Sequence, residues 1–351
     1  MNALASVEPL SYTSQEVEGR MGRSWKETLW TAYRWMVLAR AFDARMQALQ
    51  RQGRIGFYAA ATGQEAVNVA AGLVSTPDDW VFPGLREQLV ALVRGFSLTA
   101  YAHSIFADDE DVARGRQMPC HPTAREVHYV SMSSVIGTQI SQAVGLAYAL
   151  RLRSEPGVVL AFFGDGATSS NDFHAGLNFA GVFRLPVLFV CANNQWAISV
   201  PVSRQTAVPT MAAKAAAYGI SGQRVDGTDF VAVYHALHEA LGTVRSGSGP
   251  TLVEFLTYRM TPHSSSDDPS RYQPPDWSAR AGRLDPVLRL ESWMRSEELL
   301  TDANESAIRA EAEERVRDAV RAAEAAPPPA PESLTEDLYA SERSPSRDSA
   351  S

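Results

Sequence analysis

Residues 158–163, VVLAFF, run without one polar position between Pro156-Gly157 and Gly164. A strand with one wet face alternates apolar and polar side chains, whereas a strand covered on both faces has no reason to. The run is therefore expected as a strand inside a parallel sheet with helices over both faces. Residues 187–192, VLFVCA, repeat the pattern just after Pro186, and 172–183 between them has helical spacing. A helical pattern at 211–218, a short strand near Arg224-Val225, a helix at 230–245 and a strand at 251–257 continue the alternation. Strands separated by helices imply right-handed crossovers. The fold class is α/β, with a mostly parallel sheet.

Ahead of the sheet the chain reads as helical. Ser24-Trp-Lys-Glu27 has the form of a capping box, in which serine and glutamate each satisfy the other's exposed backbone N–H. A helix from there to near Gly53 carries Trp25, Leu29, Tyr33, Met36 and Val37 on one stripe. Thr62-Gly-Gln-Glu65 has the same form and opens a helix to about Leu73. Residues 86–94 and 98–106 read as two helices split by Gly95, 108–127 as a polar loop, and 138–153 as a helix of small residues. Beyond the sheet, 261–280 is rich in Pro and Ser, and 285–298 and 304–325 are charged helices. APPPAP at 326–331 begins a flexible end. The expected divisions are a tail over 1–23, one α/β domain with helical extensions over 24–325, and a second tail over 326–351. No internal repeat is evident.

Composition removes several classes of function. A net charge of −8 is the wrong sign for a nucleic-acid binder. No apolar run approaches the roughly 20 residues needed to span a bilayer. The first residues lack the basic and apolar regions of a signal peptide, and Cys120 and Cys191 form no CxxC. A reducing cytoplasm is the expected setting.

The apolar strand ends in Gly164-Asp165-Gly166, and the second ends in Asn193-Asn194-Gln195-Trp196. Ligands of open parallel sheets bind beyond the carboxyl ends of the strands. Glycines on either side of a carboxylate let backbone approach a ligand with no Cβ between, and a following helix N-terminus favours phosphate. Twenty-six residues separate Gly166 from Asn193, enough for one loop, one helix and one strand, so the two crests can be neighbours. A carboxylate, an amide oxygen and a backbone carbonyl together suit one hard cation, and Mg2+ usually brings phosphate oxygens with it. Asp165 is thus expected to hold Mg2+ for a diphosphate. GDG alone is more often a turn; the buried strand before it and Asn-Asn one βα unit later make the pattern specific. A dinucleotide fingerprint fits worse, since the third glycine and the acid ending the second strand are missing.

The segment GDGATSSNDFHAGLNFAGVFRLPVLFVCANNQWAIS resembles the thiamine-diphosphate motif, in which GDG is followed by NN. With GRIGFYAAATGQEA (53–66), FPGLRE (82–87), ARGRQMPCH (113–121), SMSSVIGTQISQAVG (131–145) and YRMTPHSSSDDPSRY (258–272), the chain resembles a known family. This is the alpha subunit of the decarboxylating first component of 2-oxoacid dehydrogenase complexes. The resemblance covers roughly residues 25–340. It implies that Asp165 and Asn194 bind Mg2+ by side chains and Trp196 by its carbonyl, and that Gly164, Gly166 and Ala167 meet the diphosphate. Arg86 would pair with diphosphate oxygens, Ser134 and Ile136 would contact the cofactor, and His263 would lie by the diphosphate and assist acyl transfer. Ser133, Thr138 and Gln139 match a potassium site, although the same groups would also serve to cap the following helix. Leu85 replaces a usual tyrosine, and Ala192 an arginine of the mammalian subunit. His121 is a further pocket candidate, whereas His235 and His238 are expected on a helix surface.

The family places a glutamate for the aminopyrimidine on a beta subunit, which implies an α2β2 heterotetramer acting on the lipoyl domain of an acyltransferase component. FYAAATGQEA resembles the branched-chain (2-oxoisovalerate) type, with Phe57, Tyr58 and Leu85 as the acyl pocket. A pyruvate or acetoin dehydrogenase alpha subunit is the alternative. A non-catalytic scaffold subunit is the alternative from another class, and the intact Asp165 and Asn194 argue against it.

Overall fold

The computed structural model describes residues 7–336. Its strands in chain order are β1 (Trp80–Phe82), β2 (Val159–Gly164), β3 (Val187–Asn193), the short β4 (Trp196–Ala197) and β5 (Val200–Pro201), β6 (Ser221–Asp226) and β7 (Thr251–Leu256). β4 and β5 pair as an antiparallel hairpin. The other five form one sheet in the order β1-β2-β3-β7-β6, every neighbouring pair parallel. The helices are α1 (Ser14–Met21), α2 (Trp25–Arg51), α3 (Glu65–Val74), α4 (Gln88–Val93), α5 (Leu98–Phe106) and α6 (Thr138–Arg153). After them come α7 (Asn171–Val182), α8 (Phe230–Arg245), α9 (Trp277–Arg283), α10 (Pro286–Ser296) and α11 (Asp302–Ala325). The α/β class with a parallel sheet is as the sequence implied.

The unbroken apolar runs have a direct cause. Leu160, Phe162, Leu188, Val190, Val253 and Phe255 join one core, built with α2, α3, α8 and α10. Val159, Ala161, Phe163, Val187, Phe189, Cys191 and Leu252 join a second core under α6 and α7. Successive residues of β2 and β3 thus enter opposite cores, so both parities must be apolar. The α2 stripe Trp25, Leu29, Tyr33, Met36 and Val37 is buried as its spacing requires. Among the described residues no helix is long and apolar enough to cross a membrane.

Several local expectations are corrected. Neither capping box forms. Ser24 follows the turn at Gly22 and is already near helical, with φ −85° and ψ 15°, and its side chain makes no cap. The box present at this end is Thr13 with Glu16, which opens a helix that was not foreseen. Thr62 donates instead to Asp43, and Glu65 turns to Arg40. The helix expected over 86–94 starts only at Gln88, because Arg86 belongs to a cleft. β1 was also not foreseen, and the turn over Ala212–Tyr218 is a 3-10 helix rather than an α-helix.

The two expected tails are in part packed. Leu10 and Val17 lie in the main core. At the other end Asp109 donates to the Pro327 carbonyl at 3.0 Å, and Pro331–Thr335 forms a 3-10 turn with Ser333 buried. The parts of both tails at residues 1–6 and 337–351 lie outside the described residues.

Candidate functional site

The register of the sheet builds the site. Gly164 of β2 pairs with Ala192 of β3, so the GDG and Asn-Asn crests leave the sheet side by side. A cavity of about 290 Å³ opens beyond them. Its walls come from Gln64 before α3, Gly84 to Glu87 after β1, Ile136 and Gln139 at the start of α6, the two crests, Ala197 and Ile198 of the hairpin, and His263. The volume is near the lower end of ordinary small-molecule sites, roughly 300–1,000 Å³. Gly166 is needed for a close approach: a Cβ there would stand 2.7 Å from the Ala197 Cβ.

Asp165, Asn194 and Trp196 all line this cavity. Asp165 is buried, and its Oδ2 accepts from Gln205 Nε2 at 2.6 Å. Burial pushes its carboxyl pKa up, while the Gln205 bond, backbone N–H groups and the Arg259 charge oppose that rise. Asn194 Oδ1 accepts from the Trp196 N–H at 3.2 Å, and its Nδ2 donates to Gln64 Oε1 at 3.1 Å. The Trp196 carbonyl accepts from Arg259 Nη1 at 3.3 Å. Asn193 stabilises the turn from behind: its Oδ1 accepts from the Gln195 N–H at 3.0 Å and its Nδ2 donates to the buried Glu254 at 2.7 Å. A carboxylate, an amide oxygen and a carbonyl are hard donors of the kind Mg2+ takes, and phosphate oxygens and water would complete an octahedron.

Arg86 closes the other side. Its Nε donates to the Ala60 carbonyl at 2.9 Å and its Nη2 to the His263 carbonyl at 2.5 Å. No hydrogen bond within the described residues uses Nη1, which leaves a donor for a ligand anion. Burial first, and then the Arg259 charge, lower its pKa to about 10, so it stays protonated at neutral pH. Arg86 Nη2 also lies 3.4 Å from His263 Nδ1. Burial, with help from Arg86 and Arg259, lowers the His263 pKa to about 4. The ring is therefore neutral near pH 7 and only weakly basic there. The loop after His263 is tied down by hydrogen bonds: Asp267 Oδ2 accepts from the His263 N–H at 2.7 Å, and Ser265 N–H donates to the Tyr58 carbonyl at 3.0 Å.

Other sequence candidates are placed differently. Leu85 and Ile136 line the cavity, but Phe57 and Tyr58 do not. The Tyr58 hydroxyl donates to buried Asp43 at 2.6 Å, and the Phe57 ring stands 6.3 Å from that of His121. Ser134 and His121 hydrogen-bond to each other away from the lining residues. Ser133, Thr138 and Gln139 sit in one turn and close it themselves. Ser133 Oγ accepts from the Val135 N–H, Thr138 Oγ1 donates to the Val135 carbonyl, and Gln139 bonds the Gly137 N–H and the Phe162 carbonyl. His238 is on the surface of α8, and His235 contacts the Arg20 carbonyl at 3.3 Å. Gln64, Gln205, Arg259 and Glu254 were not foreseen; Gln64 and Arg259 lay within quoted motifs, Gln205 and Glu254 in none.

Comparison with known proteins identifies relatives over most of the chain. The chain is 40% identical over 307 residues to an Arabidopsis thaliana protein named 2-oxoisovalerate dehydrogenase subunit alpha 2, mitochondrial, covering 87% of this chain and 65% of that protein. It is 42% identical over 301 residues to the 3-methyl-2-oxobutanoate dehydrogenase subunit alpha of Mycobacterium tuberculosis, covering 84% and 79%. It is 40% identical over 310 residues to the 2-oxoisovalerate dehydrogenase subunit alpha of Bacillus subtilis, covering 88% and 94%. The chain spans under two thirds of the length of the two Arabidopsis relatives, 65% and 62%. Residues 33–332 match the dehydrogenase E1 component family, and the chain belongs to it.

Proposed function

We propose that the chain is the alpha subunit of a branched-chain 2-oxoacid dehydrogenase, which decarboxylates 3-methyl-2-oxobutanoate and its homologues and passes the acyl group to a lipoyl arm. The observation that carries this is one cavity lined by Asp165, Asn194 and Trp196 together with Arg86 and His263. The donor chemistry fits Mg2+ and a diphosphate. Asp165, Asn194 and Trp196 would hold the cation, and Arg86 with the Gly166 and Ala167 backbone would hold the diphosphate. Breaking the bond between a keto carbon and its carboxylate leaves an electron pair that no side chain can hold, and thiamine diphosphate, on which the family depends, supplies that sink. His263 would stand as a neutral group beside the diphosphate, and Leu85 and Ile136 make part of the lining apolar. Potassium at Ser133, Thr138 and Gln139 has less support, since those groups already close their own turn.

A beta subunit partner is supported by the rim. Ile136 and Ile198, which line the cavity, are 50% and 55% exposed, and Val135 and Val200, one and two residues from them in the chain, are 67% and 41% exposed. Such a rim suits a protein surface better than water. The acyl acceptor is then the lipoyl domain of an acyltransferase component. The branched-chain assignment follows the names of the relatives and the apolar Leu85. Reconstitution with a beta subunit tests it: kcat/KM should be higher for 3-methyl-2-oxobutanoate and 4-methyl-2-oxopentanoate than for pyruvate. A preference for pyruvate would put the chain with the pyruvate or acetoin enzymes.

A further inference from the structure

Two glutamines stand behind the cation ligands, one on each. Gln205 lies in the loop after β5, 40 residues beyond Asp165. Its Nε2 donates to Asp165 Oδ2 at 2.6 Å and to the Val200 carbonyl at 2.9 Å, which uses both amide hydrogens. Its Oε1 is left buried without a partner. Rotating the amide would set that oxygen against the carboxylate, so the Asp165 contact fixes the orientation at the expense of an orphaned acceptor. Gln64 occupies the N-cap of α3, a position that favours Ser, Thr, Asp or Asn, and its side chain makes no cap. The side chain instead accepts from Asn194 Nδ2 at 3.1 Å, across 130 residues of chain. That bond acts with the Trp196 N–H, which donates to Asn194 Oδ1, to hold the Asn194 amide in one orientation. Both glutamines thus forgo an ordinary local bond for one to a ligand.

The choice of an amide has a physical reason. A Lys or Arg on Asp165 would form an ion pair and compete with a cation for the same carboxylate. A neutral donor turns the carboxylate without cancelling its charge. A neutral acceptor on Asn194 does the same for the amide.

We propose that Gln205 and Gln64 are positioning residues that turn the Asp165 carboxylate and the Asn194 amide oxygen toward one divalent cation. The inference rests on the cofactor reading above. Outer partners of metal ligands typically contribute ten- to a hundredfold in metal affinity.

The test uses the full chain assembled with a beta subunit of its family, with Mn2+ as the probe in the presence of thiamine diphosphate. Free Mn2+ is counted, and the bound ion's line shape recorded, by electron paramagnetic resonance. Gln205→Met and Gln64→Met keep the side-chain length; Gln205→Leu is the second variant if methionine at that position fails to fold. Each should weaken Mn2+ binding about ten- to a hundredfold and change the bound line shape. Melting temperatures of the cation-free proteins should stay near that of the wild type. Wild-type affinity and line shape in the folded variants would overturn the inference while the cofactor reading stands. So would a lowered cation-free melting temperature with unchanged affinity, which is the mark of a purely structural role. A wild-type assembly that takes up no Mn2+ with thiamine diphosphate would overturn the cofactor reading and this inference with it.

Discussion

Replacing Asp165 by alanine separates the cost of the site from its use. Asp165 is the charged member of the oxygen set, the other two donors being an amide and a backbone carbonyl. Without it, buried Arg86 and Arg259 remain near the cavity with Glu87 as the carboxyl left in its lining, and a divalent cation entering there meets a less negative field. The fold loses little in exchange. The carboxylate is penalised by burial, and the Gln205 amide keeps its second bond, to the Val200 carbonyl. The bonds lost are those from Gln205 and from the Asp165 and Asn194 backbone N–H groups, each worth roughly 0.5–1.5 kcal/mol, and relief of the desolvated charge offsets part of that. By contrast, a ligand at a hundred times its Kd stabilises the native state by about 2.7 kcal/mol. Scanning calorimetry of wild type and variant, with and without Mg2+ plus thiamine diphosphate, reads both quantities. The two unliganded proteins should melt close together, and only the wild type should gain several degrees on adding the pair. An equal gain in the variant, or unchanged affinity by titration calorimetry, would refute the assignment of Asp165 to the cation.

His263→Ala should retain much decarboxylation with an artificial electron acceptor and lose most transfer to a lipoyl domain; equal losses in both assays would make the histidine a binding group. Because the His263 pKa in the fold is lowered to about 4 from 6.5, the unfolded chain binds more protons between those values, so its contribution to stability is present above pH 6.5 and lost as pH falls toward 4. The difference in melting temperature between wild type and His263→Gln should therefore shrink across that window, and a constant difference would contradict it. Asp43→Leu should lower affinity for thiamine diphosphate, because Tyr58 and Thr62, which Asp43 holds, flank the Ala60 carbonyl that takes Arg86 Nε; unchanged affinity in a folded protein would remove that link. Phe189→Ala, at a fully buried sheet position, should cost about 3–5 kcal/mol in denaturant unfolding, and a loss below 1 kcal/mol would show that the second core repacks.

What could be read in the sequence was what one segment dictates by itself. The runs at 158–163 and 187–192 read as strands covered on both faces, since they are too short for a buried helix and each begins just after a proline or glycine. The parallel register then put Gly164 beside Ala192, and with them Asp165 beside Asn194. Local patterns failed where a distant partner outbid them. Thr62 and Glu65 match a capping box letter for letter, yet Asp43 and Arg40 on α2 take their side chains. Ser24 matches too, but the turn at Gly22 had already set its backbone. Tyr58 sits in a segment resembling the family and still points into the core, because buried Asp43 offers its hydroxyl an acceptor. Gln205 and Arg259 gave no signal because their meaning lies in contacts 40 and 63 residues away. The residues that aim the ligands are therefore the ones a linear reading misses: their chemical type is common, and only the fold shows which ligand each of them reaches.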